Sequence, residues 1–176
     1  GGMGLNPSFP QGTSYKKIRA NEPITVDFGG AFDGYIVDQT RMFCVGGLSL
    51  QLTKAYDDMR AIQEHAKQIA VPGVSWGGVY DSCMELAAEL GYADHFMGAK
   101  GAQVSFIGHG VGVELDEYPF VARGFHDFEF KENMVFAFEP KAVYPGVGAV
   151  GIENTFMVAA DGLKHITFAD EELVVI

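Results

Sequence analysis

The sequence predicts an α+β domain, because two helical stretches separate an early pair of strands from a strand-rich C-terminal half. Apolar residues alternate or run continuously in the strand-like segments, and they recur every three or four residues in the helical ones. The chain has 176 residues, of which 48% are hydrophobic, and this is enough to bury one sizeable core. No linker, fixed-period repeat or low-complexity tract divides the sequence. We therefore expect one domain over residues 1–176.

The first predicted element is a β-hairpin. The segments "PITVDFGG" and "GYIVDQTRMFCVG" both have strand character, and a short loop around Ala31, Phe32 and Asp33 joins them. The residues before this hairpin are rich in Gly, Pro, Asn and Ser, which indicates turns. Only "YKKI" at 15–18 looks like a strand in that region.

Two amphipathic helices follow. The first covers about residues 49–70, and Pro72-Gly73 ends it. Its apolar positions, spaced three and four residues apart, are Leu52, Ala55, Tyr56, Met59, Ile62, Ala66 and Ile69. The second covers about 76–90 and stops at Gly91, and its apolar face is formed by Val79, Tyr80, Cys83, Leu86 and Leu90.

From "QVSFIGHG" onward the pattern predicts strands. The segments are "MVFAFEPKAVYPG", "GAVGIENTFMVA", "GLKHITF" and "ELVVI". The first two should form a second hairpin, with Glu139 and Glu153 on its two arms, as Asp27 and Asp38 lie on the arms of the first. Strands joined by a short loop bring residues of the two arms close together.

These four carboxylates and one histidine indicate a metal site. Each acid stands among apolar neighbours, where a carboxylate is costly to bury unless it is paired or bound to a cation. His109 lies between two glycines in "GHG", which would let its backbone come close to such a site. One acid alone is better explained as a hydrogen-bonded or half-exposed group. Four acids with one imidazole suit divalent transition ions such as Mn, Fe, Co or Zn.

The segments that hold these residues resemble the signatures of the pita-bread metallopeptidases. The matching stretches are "VDFGGAFDGYIVDQTR", "GHGVGVELDE", "MVFAFEP" and "VGIENTFMV". This superfamily includes methionine aminopeptidase, Xaa-Pro aminopeptidase, prolidase and creatinase. The later segments look closer to the Xaa-Pro branch than to the methionine branch. The resemblance therefore implies a pita-bread fold, a curved antiparallel sheet covered by helices.

The resemblance also implies roles for the five residues. Asp27 would hold the first of two metal ions, Asp38 and Glu153 would bridge both, and His109 and Glu139 would hold the second. A bridging water would attack the peptide carbonyl, and Glu139 would also relay its proton. Two divalent ions are implied, manganese or cobalt first, with iron and zinc also compatible.

Three positions depart from the family pattern. The family has a second histidine seven residues after the ligand histidine, and Asp116 stands there. Its upstream histidine is replaced by Pro10 or Gln11, and an arginine of the Xaa-Pro branch by Gly151. In relatives these positions serve the substrate, so we expect metal binding to be retained. Asp116 is a catalytic candidate that would recognise a cationic amine, and the alternative is a solvated or capping loop residue.

Three other residues need an assignment. Arg41, which follows "DQT", fits the family pattern and should pair with a carboxylate. His95 and His126 are predicted in loops, and either could replace a missing histidine in space.

Family members generally have further elements before this region, so the chain is expected to be the C-terminal portion of a longer pita-bread domain. A hairpin-bearing sheet without that part would leave a face or an edge uncovered. We therefore expect a homo-oligomer, a dimer in the simplest case.

Charge and cysteine content restrict the partners. The chain has 23 acidic and 12 basic residues, which disfavours nucleic acid. No apolar run is long enough to span a bilayer, so no membrane partner is expected. Cys44 and Cys83 form no CxxC motif and indicate buried free thiols in a reducing compartment, the cytoplasm.

Three functions are compatible with these observations. The favoured one is a dinuclear metallo-aminopeptidase or dipeptidase of Xaa-Pro type, acting on a peptide or small-molecule substrate. The second is another metal-dependent reaction on the same scaffold, such as lyase chemistry, because a fold does not determine a function. The third is a non-catalytic member that binds a peptide.

Overall fold

A computed structural model describes residues 15–176. Within this range the chain forms two helices, α1 (Leu50–Ile69) and α2 (Trp76–Glu89), and ten strands. The strands are β1 (Ile24–Phe32), β2 (Tyr35–Cys44), β3 (Phe106–Gly110), β4 (Glu117–Ala122), β5 (Val135–Phe138), β6 (Lys141–Tyr144), β7 (Gly148–Gly151), β8 (Asn154–Ala159), β9 (Gly162–His165) and β10 (Val174–Val175). This order confirms the predicted α+β class.

The strands of the described region form three sheets. The first has the order β1-β2-β10, the second has the order β4-β3-β5-β8-β9, and β6 pairs with β7 in the third. Helix α1 contacts β6, β7 and β9, and α2 contacts β4. The core therefore lies between the two helices and the strands that follow them.

The early hairpin forms as predicted, but its turn lies later than the sequence suggested. β1 and β2 pair without interruption as far as Phe32 and Tyr35. The turn is Asp33-Gly34, with φ angles of +50° and +86°. A two-residue hairpin turn of this kind needs positive φ at both positions, which Asp and Gly tolerate best. The predicted loop began too early, because Ala31 and Phe32 still belong to β1.

Both predicted helices are confirmed, and each begins at a serine cap. The Ser49 hydroxyl accepts a hydrogen bond from the Leu52 N–H at 3.3 Å, and the Ser75 hydroxyl accepts one from the Gly78 N–H at 3.0 Å. Such a cap stabilises a helix by about 1 kcal/mol. Gly91 ends the second helix with a φ of +92°, a conformation that glycine adopts without strain.

The apolar faces of the helices are buried as their spacing predicts. The fully or almost fully buried residues of α1 and α2 include Leu52, Ala55, Tyr56, Met59, Ile62, Ala66, Val79, Tyr80 and Cys83. They join one cluster with Phe136 and Phe156 of the central sheet. Burying one large apolar side chain contributes roughly 1.5–3 kcal/mol, so this cluster is the main stabilising feature of the fold.

The two long strands predicted around Glu139 and Glu153 are each interrupted, and this part of the prediction is wrong. Glu139 and Pro140 separate β5 from β6, and Ile152 and Glu153 separate β7 from β8. Proline has no N–H with which to continue a strand ladder. Glu153 instead forms an antiparallel bridge with Thr40 of β2. The two glutamates therefore lie at strand breaks, where the chain passes between sheets.

Two further details of the strands differ from the sequence prediction, and two predicted strands are confirmed. Strand β4 was not predicted, and its Pro119 is tolerated because β4 is an edge strand. Residues 15–18 do not form the suggested strand. The last two predicted strands exist as β9 and β10. Neither α1 nor α2, the helices of residues 15–176, is long and apolar enough to cross a lipid bilayer.

Candidate metal centre

Three of the five predicted ligands come together in the structure. Asp38 of β2, His109 of β3 and Glu153, which precedes β8, each offer one ligand atom within 4.8 Å of the others. All three residues are buried. They lie on three segments that are far apart in the chain, and the pairing of β2, β3 and β8 with their neighbours brings them to one place.

Glu153 is held by contacts with β2. The Thr40 hydroxyl donates a hydrogen bond to Glu153 Oε2 at 2.8 Å. The backbone N–H of Glu153 donates to the Thr40 carbonyl at 3.4 Å, and the reciprocal bond measures 3.3 Å. Arg41 Nη1 donates to the Glu153 carbonyl at 2.8 Å. These contacts leave Glu153 Oε1 directed at the histidine.

Asp38 is positioned by Thr155 of β8. The Asp38 N–H donates to Thr155 Oγ1 at 2.9 Å, and that hydroxyl donates to the Asp38 carbonyl at 2.8 Å. The Asp38 side chain accepts a hydrogen bond from the Gln39 N–H at 2.9 Å. Because Thr155 satisfies the backbone of Asp38, the carboxylate is fixed in direction by β2 and β8 together.

His109 presents one ring nitrogen to the carboxylates. Its Nε2 lies 3.8 Å from Glu153 Oε1 and 3.9 Å from Glu139 Oε1. Its Nδ1 lies 3.3 Å from the Gly110 carbonyl and 3.3 Å from Asp116 Oδ1. A proton on Nδ1 has acceptors, so the Nε2 lone pair is the one free to bind a metal.

The glycines beside His109 have a packing role that was not predicted. A Cβ built on Gly108 would lie 2.6 Å from the Ala137 carbonyl of β5, and one on Gly110 would lie 2.5 Å from the Glu117 carbonyl of β4. Both distances are far below a normal contact. The glycines thus allow β4 and β5 to pair closely with β3 on either side of the histidine, and the expected approach of backbone to metal stays a prediction.

Asp27 and Glu139 lie at the edge of the three-residue group. Asp27 is exposed on β1 opposite Thr40, which makes it a diagonal neighbour of Asp38 on the same face of the sheet. Phe138 pairs with Asn154 and Lys141 with Gly151, so the same register places Glu139 opposite Glu153.

Lys141, which was not predicted as a site residue, forms an ion pair with Glu139 through Nζ and Oε2. Burial acts to lower the pKa of Lys141, but the carboxylates of Glu139 and then Glu153 outweigh it, and the pKa is raised. A lone lysine two residues after a candidate ligand was the signal that could have identified it. Over residues 15–176, Lys141 is the one Lys or Arg that forms an ion pair with any of the four candidate carboxylates.

The electrostatics of the group fit a divalent cation. Burial, and then the charges of Glu139 and Asp38, raise the pKa of Glu153 to about 9. The pKa of Asp38 is also raised, by burial and then by the Asp27 charge. Carboxylates that repel one another in a buried site ionise fully when a cation neutralises them. Carboxylate oxygens of Asp38 and Glu153 and a ring nitrogen of His109 lie close enough to bind one ion, and divalent transition ions accept both kinds of ligand atom.

The remaining candidates lie in different places. The Asp116 side chain is 65% exposed and contacts His109 Nδ1, at the outer side of the group. His95 binds the Val143 carbonyl, and His126 pairs with Asp81, so neither histidine joins the group. Pro10 and Gln11 lie outside the described residues.

Arg41 was expected to pair with a carboxylate, and this is wrong. Its guanidinium donates to four backbone carbonyls and to the side-chain oxygen of Asn154. It therefore ties β2 to Glu153 and to the C-terminal segment.

Comparison with known proteins identifies the family. A sequence model of metallopeptidase family M24 matches residues 2–160. The match covers most of the chain, and the chain belongs to metallopeptidase family M24. Its fold is the pita-bread fold, and the expected membership of that superfamily is confirmed.

Several similar proteins carry names of the Xaa-Pro branch or of dipeptidases. A Xaa-Pro dipeptidase of Lactobacillus delbrueckii subsp. lactis is 30% identical over 174 residues, which are 98% of this chain and 45% of that protein. The crystal structure of a dipeptidase from Pyrococcus horikoshii has a TM-score of 0.84 and 29% identity, over 97% of this chain and 45% of that one. The X-Pro aminopeptidase of Thermotoga maritima has a TM-score of 0.85 and 26% identity, over 98% and 46%. The chain spans about half the length of the curated relatives it matches.

Proposed function

We propose that this chain carries the metal centre of a Xaa-Pro dipeptidase or aminopeptidase. The observation that supports it most is the buried group of Asp38, His109 and Glu153, whose ligand atoms lie within 4.8 Å of one another. The names of the relatives, Xaa-Pro dipeptidase among them, indicate the class of substrate. The substrate is therefore proposed to be a short peptide with proline in the second position.

The proposed ligand set keeps all five residues of the sequence analysis. Asp38, His109 and Glu153 form its centre, and Asp27 and Glu139 extend it on the two sides. This set would hold two divalent ions, with manganese or cobalt proposed first. Divalent ions bound in such a site polarise a peptide carbonyl and lower the pKa of water.

Glu139 is proposed as the residue that moves the proton. Its Oε2 is engaged by Lys141, while its Oε1 faces the centre, 3.9 Å from His109 Nε2. In hydrolysis the oxygen of water bonds to the carbonyl carbon, the C–N bond breaks, and the nitrogen gains a proton. Glu139 Oε1 would accept the proton from water and deliver it to the leaving nitrogen.

Asp116 is proposed to bind the amine of the substrate. Its carboxylate is largely exposed yet lies within 3.3 Å of His109, so a cation approaching the centre would meet it. A carboxylate accepts hydrogen bonds from an ammonium group, which the histidine expected at this position would not do when protonated.

The test combines metal content with peptide hydrolysis. The full chain, loaded with Mn²⁺ or Co²⁺, is expected to retain stoichiometric metal on elemental analysis and to hydrolyse Ala-Pro. H109A and E153A should each lose at least one ion. The matched controls H126A and E132A change exposed residues outside the group and should load normally.

Full metal occupancy in both H109A and E153A would refute the ligand assignment. Metal binding without hydrolysis of Ala-Pro would refute the peptidase and favour another metal-dependent reaction. A chain that binds no metal would leave only the family and the fold.

We also propose that the chain forms a homodimer. The support is the apolar surface of the hairpin, where Phe28, Phe32 and Tyr35 are 53%, 87% and 67% exposed. These side chains lie on the face of the hairpin opposite to Asp27. Analytical ultracentrifugation should show a dimer, and F32E should shift it to a monomer. The expected cytoplasmic location stays a prediction, supported by the two buried free cysteines.

A further inference from the structure

Lys141 places a positive charge inside the candidate metal centre. It is the first residue of β6, and its Nζ contacts Glu139 Oε2. The Glu139 side chain is 12% exposed and that of Lys141 is 32% exposed, so the pair is largely shielded from water. An ion pair in such a place is stronger than one on an open surface.

The strand opposite Lys141 leaves room for this arrangement. Lys141 pairs with Gly151 across the β6–β7 hairpin. A Cβ at position 151 would lie 2.7 Å from Lys141 Cβ and 2.7 Å from the Pro140 carbonyl. Any side chain there would displace the lysine or the strand, so Gly151 is a condition for Lys141 to lie where it does.

Lys141 contacts one of the candidate ligands directly. Asp38, His109 and Glu153 have no ion pair with it, whereas Glu139 has one of its two oxygens bound to the ammonium. A divalent ion that binds both oxygens of Glu139 must take the place of that ammonium, and an ion that binds only Oε1 meets a carboxylate whose charge the ammonium already partly neutralises. In either case the lysine and the metal compete for the charge of the same carboxylate.

We propose that Lys141 is a built-in competitor of the divalent ion that shares Glu139, so that this ion binds more weakly than the ligand set alone would allow. The inference rests on the proposed metal centre and adds to it a residue that sets metal affinity. Lys141 is a positioning residue here, because it acts through Glu139.

The experiment titrates Mn²⁺ into the metal-free full chain and measures binding by isothermal titration calorimetry. K141M removes the ammonium group. It is expected to increase the affinity for the Mn²⁺ ion that shares Glu139 by roughly 10- to 100-fold, since a largely buried ion pair no longer has to be broken. K141R keeps a cation at this position and should stay within about threefold of the unaltered chain. K164M removes an exposed lysine of β9 and should change nothing.

A double-mutant cycle separates competition for Glu139 from a general effect of charge. In an E139Q background the carboxylate is gone, so K141M should no longer tighten binding. If K141M tightens binding equally with and without Glu139, the effect is general and the proposal is overturned. Circular dichroism of each variant verifies that it is folded, and K141Q replaces K141M if that variant is not.

The remaining outcomes are also decisive. Mn²⁺ affinity in K141M or K141Q equal to that of the unaltered chain would overturn the competition and leave the proposed metal centre intact. Tight binding in K141R, equal to that in K141M, would overturn it as well. A chain that binds no Mn²⁺ in any variant would overturn both the competition and the proposed function.

Discussion

Arg41 should be one of the most important polar residues for stability. Its side chain is buried, with 6% of the residue exposed. Nη1 donates to the Thr40 and Glu153 carbonyls, both at 2.8 Å, and Nε donates to the Asp170 carbonyl at 2.8 Å. Nη2 completes the set with bonds to Asn154 Oδ1 at 2.7 Å and to the carbonyl of residue 169 at 2.9 Å. One side chain thus joins three segments of the fold.

The size of the effect follows from what happens to the acceptors in R41M. The Thr40 and Glu153 carbonyls each keep one longer backbone hydrogen bond, and Asn154 Oδ1 keeps the bond from the Thr167 hydroxyl. The other two acceptors belong to exposed residues and can bind water. Five lost bonds at a net value near 1 kcal/mol each give a destabilisation of about 3–5 kcal/mol. R41K keeps the charge but not the planar guanidinium group. Its free energy of unfolding should be about 2–3 kcal/mol lower than that of the unaltered chain.

Urea denaturation of the metal-free chain, followed by circular dichroism at constant pH, measures the free energy of unfolding. The control is R60M, because Arg60 forms a surface ion pair with Glu172 at 2.8 Å. That pair should be worth less than about 1 kcal/mol. An R41M loss no larger than the R60M loss would show that the Arg41 hydrogen bonds do not stabilise the fold, and it would refute this reasoning.

Three further predictions concern the surroundings of the centre. G110A should destabilise the chain by about 2–4 kcal/mol, because the new Cβ would overlap the carbonyls of β4. The control G47A places its Cβ where no atom lies within 4 Å, and it should change stability by less than about 1 kcal/mol. Urea denaturation measures both variants. The raised pKa of Glu153 favours its protonated form in the folded chain, so stability is full below the ordinary value of 4.5 and falls as pH rises toward about 9, by up to about 1.4 kcal/mol per pH unit. Thermal melts of the metal-free chain should show this slope, E153Q should reduce it to the part contributed by Asp38, whose pKa is also raised, and an equal slope in both would contradict the assignment. T40V removes the donor to Glu153 Oε2, so Mn²⁺ should bind about 10-fold more weakly by calorimetry, and unchanged affinity would show that this hydrogen bond does not orient the ligand.

Much of the fold could be predicted because it depends on local chemistry. The spacing of apolar residues located α1 and α2. Ser49 and Ser75 cap the beginnings of these helices, and Gly91 follows the end of α2 in the left-handed conformation that commonly ends a helix. The first hairpin followed from its two strand-like arms. Its turn lies at Asp33-Gly34, a local pair that favours a two-residue turn, and so comes later than the predicted loop around Ala31, Phe32 and Asp33.

The candidate site could be predicted only as a set of residue types. Acids in apolar surroundings and a histidine between glycines singled out Asp27, Asp38, His109, Glu139 and Glu153. The structure groups three of them and leaves Asp27 and Glu139 at the edge. That division depends on strand register and on which side chains find partners, and both are set by residues far away in the chain.

By itself, the sequence determined the class of the fold, the two helices, the first hairpin and the residues from which a metal centre can be built, because periodicity, capping and the cost of a buried charge act on neighbouring residues. Only the tertiary structure decided that Glu153 bridges to Thr40, that Arg41 binds carbonyls, and that Lys141 takes an oxygen of Glu139. These contacts join strands that are distant in sequence, so they depend on how the sheets pair and on which polar groups remain unsatisfied once the core has packed.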